Sequence, residues 1–159
     1  MIRRVAESDA SAICAIYNEY VLNTRISFEE SAVSADDMAE RIQNVAGQFP
    51  WLVCEEGGRI VGYGYANKWR ERSAYRHSVE LGIYVASEWI GKGVGTLLMT
   101  DLLQELRGLA IHSVICGIAL PNPASVALCE KFGFDQVGHF KEVGFKMSSW
   151  DVGYWELLL

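Results

Sequence analysis

The sequence predicts an α/β (α+β) protein of about seven strands and four helices, and three stretches carry that prediction. Ser78 to Val85 alternates, with Val79, Leu81, Ile83 and Val85 on one face and Ser78, Glu80, Gly82 and Tyr84 on the other, which is the period of a strand with one apolar side. Gly91-Lys92-Gly93-Val94-Gly95-Thr96 follows, then Leu97, Leu98, Leu102, Leu106 and Leu109 at helical spacing. Asn122-Pro123, with Gly133 beyond it, sets an N-cap residue before a proline at the first helical position and a glycine just past the end.

The other elements fall into place around these. Ile2 to Val5 reads as a short strand, and Ser8 or Asp9 caps a helix with Ile13, Ile16, Tyr17 and Tyr20 on one face. Asn23 to Glu30 is a polar loop carrying Arg25 and Phe28. Ser34, with Asp37 three residues on, marks the start of a second helix through Met38, Ile42 and Val45, and Pro50 ends that region. Trp51–Glu56 and Arg59–Trp69 flank Gly57-Gly58, a pair that closes a hairpin. Gly108 is the C-cap of the third helix, Ser113–Ala119 a fifth strand, and Asp135–Lys146 and Val152–Leu159 the closing strands. Glycine at position 82, inside a strand, predicts a bulge or a close approach by another group.

Composition narrows the function. The 159 residues are half hydrophobic, enough for one sizeable core and a single domain over 1–159. With 14 Lys and Arg against 20 Asp and Glu the net charge is −6, the wrong sign for binding nucleic acid through its phosphates. Cys14, Cys54, Cys116 and Cys129 are widely spaced with no Cys-x-x-Cys pair, which argues against a zinc site and a disulfide framework and for reduced thiols. No apolar run approaches membrane-spanning length and no apolar leader follows Met1, so a soluble cytoplasmic protein without membrane contact is expected.

Strand, glycine-rich turn and helix in that order put free backbone N–H groups at the positive end of a helix dipole, a site for phosphate or pyrophosphate. An ordinary strand-to-helix connection reads the same way. A Walker loop is excluded, because Lys92 sits between two glycines with no Ser or Thr after it. A Rossmann turn is excluded as well, since Leu98 stands where its third glycine belongs.

Ile90-Gly91-Lys92-Gly93-Val94-Gly95 resembles the acetyl-CoA loop of the Gcn5-related N-acetyltransferases (GNAT), Gln/Arg-x-x-Gly-x-Gly/Ala, with Ile90 departing from the usual Gln or Arg. The element order over the whole chain is similar to that fold, which implies a mixed twisted sheet. Ala15-Ile16-Tyr17-Asn18, Tyr63 to Ala66, Tyr75-Arg76-His77-Ser78-Val79-Glu80, Leu120-Pro121-Asn122 and Gly144-Phe145-Lys146 with Trp150-Asp151-Val152 look like the phosphinothricin and methionine sulfoximine/sulfone group of that superfamily. One residue is missing between Trp150 and Asp151, which leaves the strand register open there.

The resemblance implies transfer of acetyl from acetyl-CoA to the amine of a small amino-acid-like substrate. An alkyl ammonium must lose a proton, the thioester carbonyl must be polarised, and the leaving thiolate must regain a proton. Glu80 matches the glutamate of the group's Val-Glu motif and is the implied base; its ordinary pKa of about 4.3 is too low, so burial beside Leu81 and Trp69 must raise it. A solvated glutamate or an ion pair with Arg76 is the alternative. Cys129 stands where the family offers a tyrosine or histidine acid, and equally reads as a small core residue. Main-chain groups of Ile83, Tyr84 and Val85 would pair with the pantetheine arm, and Gly91, Lys92, Gly93, Val94, Gly95 and Thr96 would hold the pyrophosphate. Asn122 matches an asparagine that touches the cofactor, although its role as N-cap is sufficient in itself.

Lys68, Arg70, Arg72, Arg76 and His77 crowd one loop of an acidic chain, where they would attract a carboxylate-bearing amine. Arg72 and Arg76 are nearest in sequence to Glu80, and Phe28, Trp69 and Tyr75 would wall the slot for the rest of the substrate. Two other readings stay open: an acyl-CoA-binding sensor without turnover, suggested by Ile90 and Cys129, and the same chemistry on a peptide N-terminus or polyamine. The resembled group implies a homodimer with its interface near the site.

Overall fold

The computed structural model describes residues 1–159. In chain order the elements are β1 Ile2–Arg4, α1 Ala10–Asn23, α2 Ala35–Ala46, β2 Trp51–Glu56, β3 Arg59–Lys68, β4 Ser78–Val85, α3 Val94–Arg107, β5 Ser113–Leu120, α4 Pro123–Lys131, β6 Asp135–Lys146 and β7 Ser148–Leu158. Seven strands form one sheet in the order β1-β2-β3-β4-β5-β7-β6. The β4–β5 ladder is parallel and the β1–β2, β2–β3, β5–β7 and β6–β7 ladders are antiparallel, so the sheet is mixed, as the resemblance implied.

Two compact units divide the chain. The first comprises Met1–Glu19, Val33–Asn67 and Gly82–Ala110. Its hairpin turn has Gly57 and Gly58 at φ +57° and +77°, the left-handed pair that two-residue hairpin loops require. Ser34 caps α2 by accepting from the Asp37 N–H at 3.1 Å, and Met38, Ile42 and Val45 are buried, as their spacing predicted. Helix α3 buries Val94, Leu98, Met99, Leu102, Leu103 and Leu106. Leu97 leaves that stripe and is 50% exposed, because a 3.6-residue turn carries position 97 more than a quarter turn away from 98, and Leu109, 44% exposed, falls outside the helix, which ends at Arg107. The helix comes close to β3 at Gly62, where an added Cβ would lie 2.8 Å from Val94 Cγ1 and 3.1 Å from the Tyr84 carbonyl oxygen. Gly82 is a close approach rather than a bulge, since the Tyr65 ring lies about 3 Å from where its Cβ would be.

The second unit comprises Tyr20–Ala32, Lys68–Leu81 and Ile111–Leu159. Strand β7 begins at Ser148, earlier than the predicted Val152, because Met147 at φ +65° turns the chain directly back onto β6 and Lys146 pairs with Ser148. The register slips on β6, between Phe140↔Val152 and Gly144↔Trp150. Asp151 holds that irregularity: its carboxylate accepts from the Glu142 N–H at 2.8 Å, with Glu142 at φ +50°, and meets His139 Nε2 at 2.7 Å. Asn122 caps α4 by accepting from the Ser125 N–H at 3.2 Å, and Gly133 at φ +85° follows the helix. Lys146 is 4% exposed and donates to the carbonyls of Val21 at 2.6 Å and Ser27 at 2.8 Å, tying the last turn of α1 and the polar loop after it to the end of β6.

Candidate active site

In the first unit the glycine turn is a main-chain structure. Gly91 and Gly93 take φ +79° and +86°, and the space where their Cβ atoms would stand is empty. Gly93 is the N-cap of α3 and has no side chain to cap the first turn, so the N–H groups there point at the helix mouth without a capping side chain. Val94 turns its side chain into the core and offers only its amide, while Lys92 folds its ammonium over the Trp89 ring at 4.8 Å. Ile90, where the family signature has Gln or Arg, is 57% exposed and brings no polar group. Upstream on β4, the Tyr84 ring stacks on Tyr63 at 5.4 Å and is met edge-on by Tyr17 at 5.2 Å, which fixes the backbone of Ile83–Val85.

In the second unit Glu80 is the last β4 residue in the parallel ladder with β5, opposite Ile115. Its carboxylate is half-buried and leans over Gly117 of β5, with Oε1 3.1 Å from where that glycine's Cβ would stand. Burial pushes the Glu80 pKa above the ordinary carboxylate value, and the Arg70 guanidinium pulls back against that rise. Arg76, the predicted ion-pair alternative, donates instead to the Ser73 carbonyl at 3.2 Å; the charge acting on Glu80 is that of Arg70. Arg70 lies 4.2 Å over the Trp69 ring, Trp69 meets Tyr154 edge-on at 5.6 Å, and Tyr154 meets Phe140 edge-on at 5.8 Å. A cation and three aromatic rings thus form a row beside the acid.

Arg72, Tyr75, Arg76 and His77 lie along the exposed segment leading into β4. The His77 carbonyl accepts from the N–H groups of His112 and Ser113, which anchors the segment before Glu80. Phe28 covers Gly144 of β6. Cys129 is buried in α4, with the buried Cys116 thiol of β5 as its neighbour. The neighbouring Cys116 thiol lowers the Cys129 pKa, while the Cys129 sulfur and burial hold the Cys116 thiol well above its ordinary value. Sequence reasoning passed over Cys116, Gly117 and Tyr154; the one available signal was a glycine interrupting the apolar run of β5.

The fold and these residues define an acetyltransferase, and the chain belongs to the GNAT family: the model of its acetyltransferase (GNAT) domain matches residues 2–151. The chain is 39% identical over 152 residues to the phosphinothricin N-acetyltransferase of Alcaligenes faecalis, covering 94% of this chain and 77% of that one. To the L-methionine sulfoximine/L-methionine sulfone acetyltransferase of Salmonella typhimurium it is 33% identical over 161 residues, covering 99% and 94%. Among solved structures, a phosphinothricin acetyltransferase from Sinorhizobium meliloti in complex with acetyl-CoA superposes with TM-score 0.96 at 35% identity, covering all of this chain and 88% of that one.

Proposed function

We propose that this chain is one domain that transfers acetyl from acetyl-CoA to the primary amine of a small amino-acid-like substrate, of the methionine sulfoximine/sulfone or phosphinothricin type. The observation that carries the reading is Glu80: a carboxylate held half-buried, its pKa raised by that burial, with a cation and aromatic rings at its side. Glu80 takes the proton from the substrate ammonium, directly or through a water, and its raised pKa makes it a better base than an exposed glutamate. Arg70, rather than Arg72 or Arg76, is the guanidinium whose charge acts on Glu80, and it grips the substrate carboxylate. Phe28, Trp69 and Tyr75 bound the substrate slot, with Arg72, Arg76 and His77 supplying its basic rim.

The amides of Gly91 to Thr96 hold the diphosphate, and the main chain of Ile83 to Val85 pairs with the pantetheine arm and turns an N–H toward the thioester oxygen. Asn122, its carbonyl oxygen used as the α4 cap, offers its amide to the same molecule. Cys129 returns a proton to the leaving thiolate, and its pKa, lowered by the neighbouring Cys116 thiol, makes it a stronger acid than an ordinary thiol. The protein works in a reducing cytoplasm, a reading supported by four free, buried thiols. It forms a homodimer through the outer edge of β6, where Val137, Phe140, Val143 and Phe145 and the adjoining Met147 are all more than half exposed on the terminal strand of the sheet.

Release of free thiol from acetyl-CoA, measured against a panel of amino acids, tests the activity. Rapid release with methionine sulfone, methionine sulfoximine or phosphinothricin is expected. Cofactor binding by calorimetry with no release for any amine makes the chain an acyl-CoA sensor instead, and release only with peptide N-termini moves the substrate class. Light scattering with size-exclusion chromatography checks the dimer, with a monomer at micromolar concentration as the contrary result.

A further inference from the structure

The geometry points to Tyr154 as a specificity-determining residue whose hydroxyl recognises an oxygen on the tetrahedral sulfur or phosphorus of the substrate side chain; this rests on the acetyl-transfer reading above. Tyr154 lies on β7 between two glycines, paired with Gly117 of β5 on one side and Gly138 of β6 on the other. No side chain flanks it in that cross-strand row, so the ring is free to lean. It leans toward the acid: the point where Gly117 lacks a Cβ is 3.0 Å from Tyr154 Cε1 and 3.1 Å from Glu80 Oε1.

Trp69 at 78° and Phe140 at 89° meet the ring edge-on from two directions and fix its position. The ring is half-buried, and its hydroxyl takes part in no hydrogen bond with the protein. Packing alone does not call for that hydroxyl, because phenylalanine would make the same ring contacts. A positioned phenol beside the base is a hydrogen-bond donor for the substrate.

Three groups of this unit then match three groups of one molecule. Glu80 faces the amine, Arg70 on its Trp69 platform faces the α-carboxylate, and the Tyr154 O–H donates to a sulfone, sulfoximine or phosphinate oxygen. A site built to hydrogen-bond a substrate oxygen discriminates against the analogue that lacks it far better than an apolar wall does.

The test compares methionine sulfone with methionine, which differ only in the two sulfur-bound oxygens, in the intact protein and in Tyr154→Phe. The expected result is that the ratio of kcat/KM for sulfone over methionine falls about tenfold in Tyr154→Phe, mainly through KM for the sulfone, with KM for acetyl-CoA unmoved. A Tyr154→Leu variant, which also removes the ring, is expected to raise KM for both amino acids. If the intact protein acetylates the sulfone and the ratio is the same in Tyr154→Phe, the assignment of Tyr154 is overturned and the acetyl-transfer reading stands. If the intact protein acetylates neither amino acid, the assignment of Tyr154 is overturned, and the acetyl-transfer reading falls with it only if no amine of the panel releases thiol from acetyl-CoA.

Discussion

The first unit builds its part of the candidate site from main chain: a glycine turn in left-handed conformations, an uncapped helix start, and a strand whose Tyr84 ring stacks on Tyr63. Its ionised side chains are satisfied against each other, as where Arg3 grips Asp9 through 2.7 and 3.0 Å bonds and reaches Glu55 at 3.0 Å. The second unit does the reverse. It half-buries a carboxylate without a hydrogen-bonded cation, buries a lysine against carbonyls alone, and lines an aromatic row with an arginine. The contrast teaches a division of labour. Backbone amides suit an anion that every substrate turn presents in the same way, whereas moving a proton and selecting a substrate need side chains whose pKa and shape their surroundings can tune.

The sharpest way to break this contrast is at Glu80. Glu80→Gln is expected to lower kcat by 10²- to 10³-fold, about the share of a positioned base. On the proposed mechanism, in which ionised Glu80 takes the proton, kcat/KM of the unaltered protein should rise with pH through a value above that of an ordinary glutamate. The sign for stability is opposite. A carboxyl whose pKa is raised by folding stabilises the fold fully below its unfolded value and loses that contribution as pH rises through the folded one. Glu80→Gln therefore should not lower the urea midpoint at neutral pH, and a variant that unfolds more easily would mean that Glu80 is structural.

Lys146→Met comes next. It keeps the buried stem but leaves the Val21 and Ser27 carbonyls without their donor, at a cost of about 3 kcal/mol in equilibrium unfolding. A loss below about 1 kcal/mol would mean that water replaces the ammonium. In the first unit, Gly62→Ala forces a methyl group against Val94 Cγ1 and the Tyr84 carbonyl, and should cost about 2 kcal/mol. Because Val94 opens α3, weaker acetyl-CoA binding by calorimetry should accompany it, while the pH dependence of kcat stays as before. A changed pH profile would blur the division between the units. The smallest effect is expected from Cys129→Ala, about a tenfold fall in kcat; a change within twofold would return Cys129 to core packing and leave the thiolate to solvent.

Much of this was legible in the residues before any coordinates. Helix α2, its Ser34 cap, the Gly57-Gly58 hairpin, β4 and the Asn122-Pro123 start of α4 each follow from local chemistry, in which a cap, a turn or an alternation binds neighbours a few residues apart. The element order, and through it the family, follow from the sum of such signals. Packing decided the remainder. Which arginine acts on Glu80, why Tyr154 leans over Gly117, that Cys116 neighbours Cys129, and that Lys146 is buried all depend on residues far apart in the chain meeting in the fold. Sequence spacing determined local conformation because the forces there act within a turn or two of backbone. Only the tertiary structure sets the partners and the burial of a titratable group, and with them its chemistry.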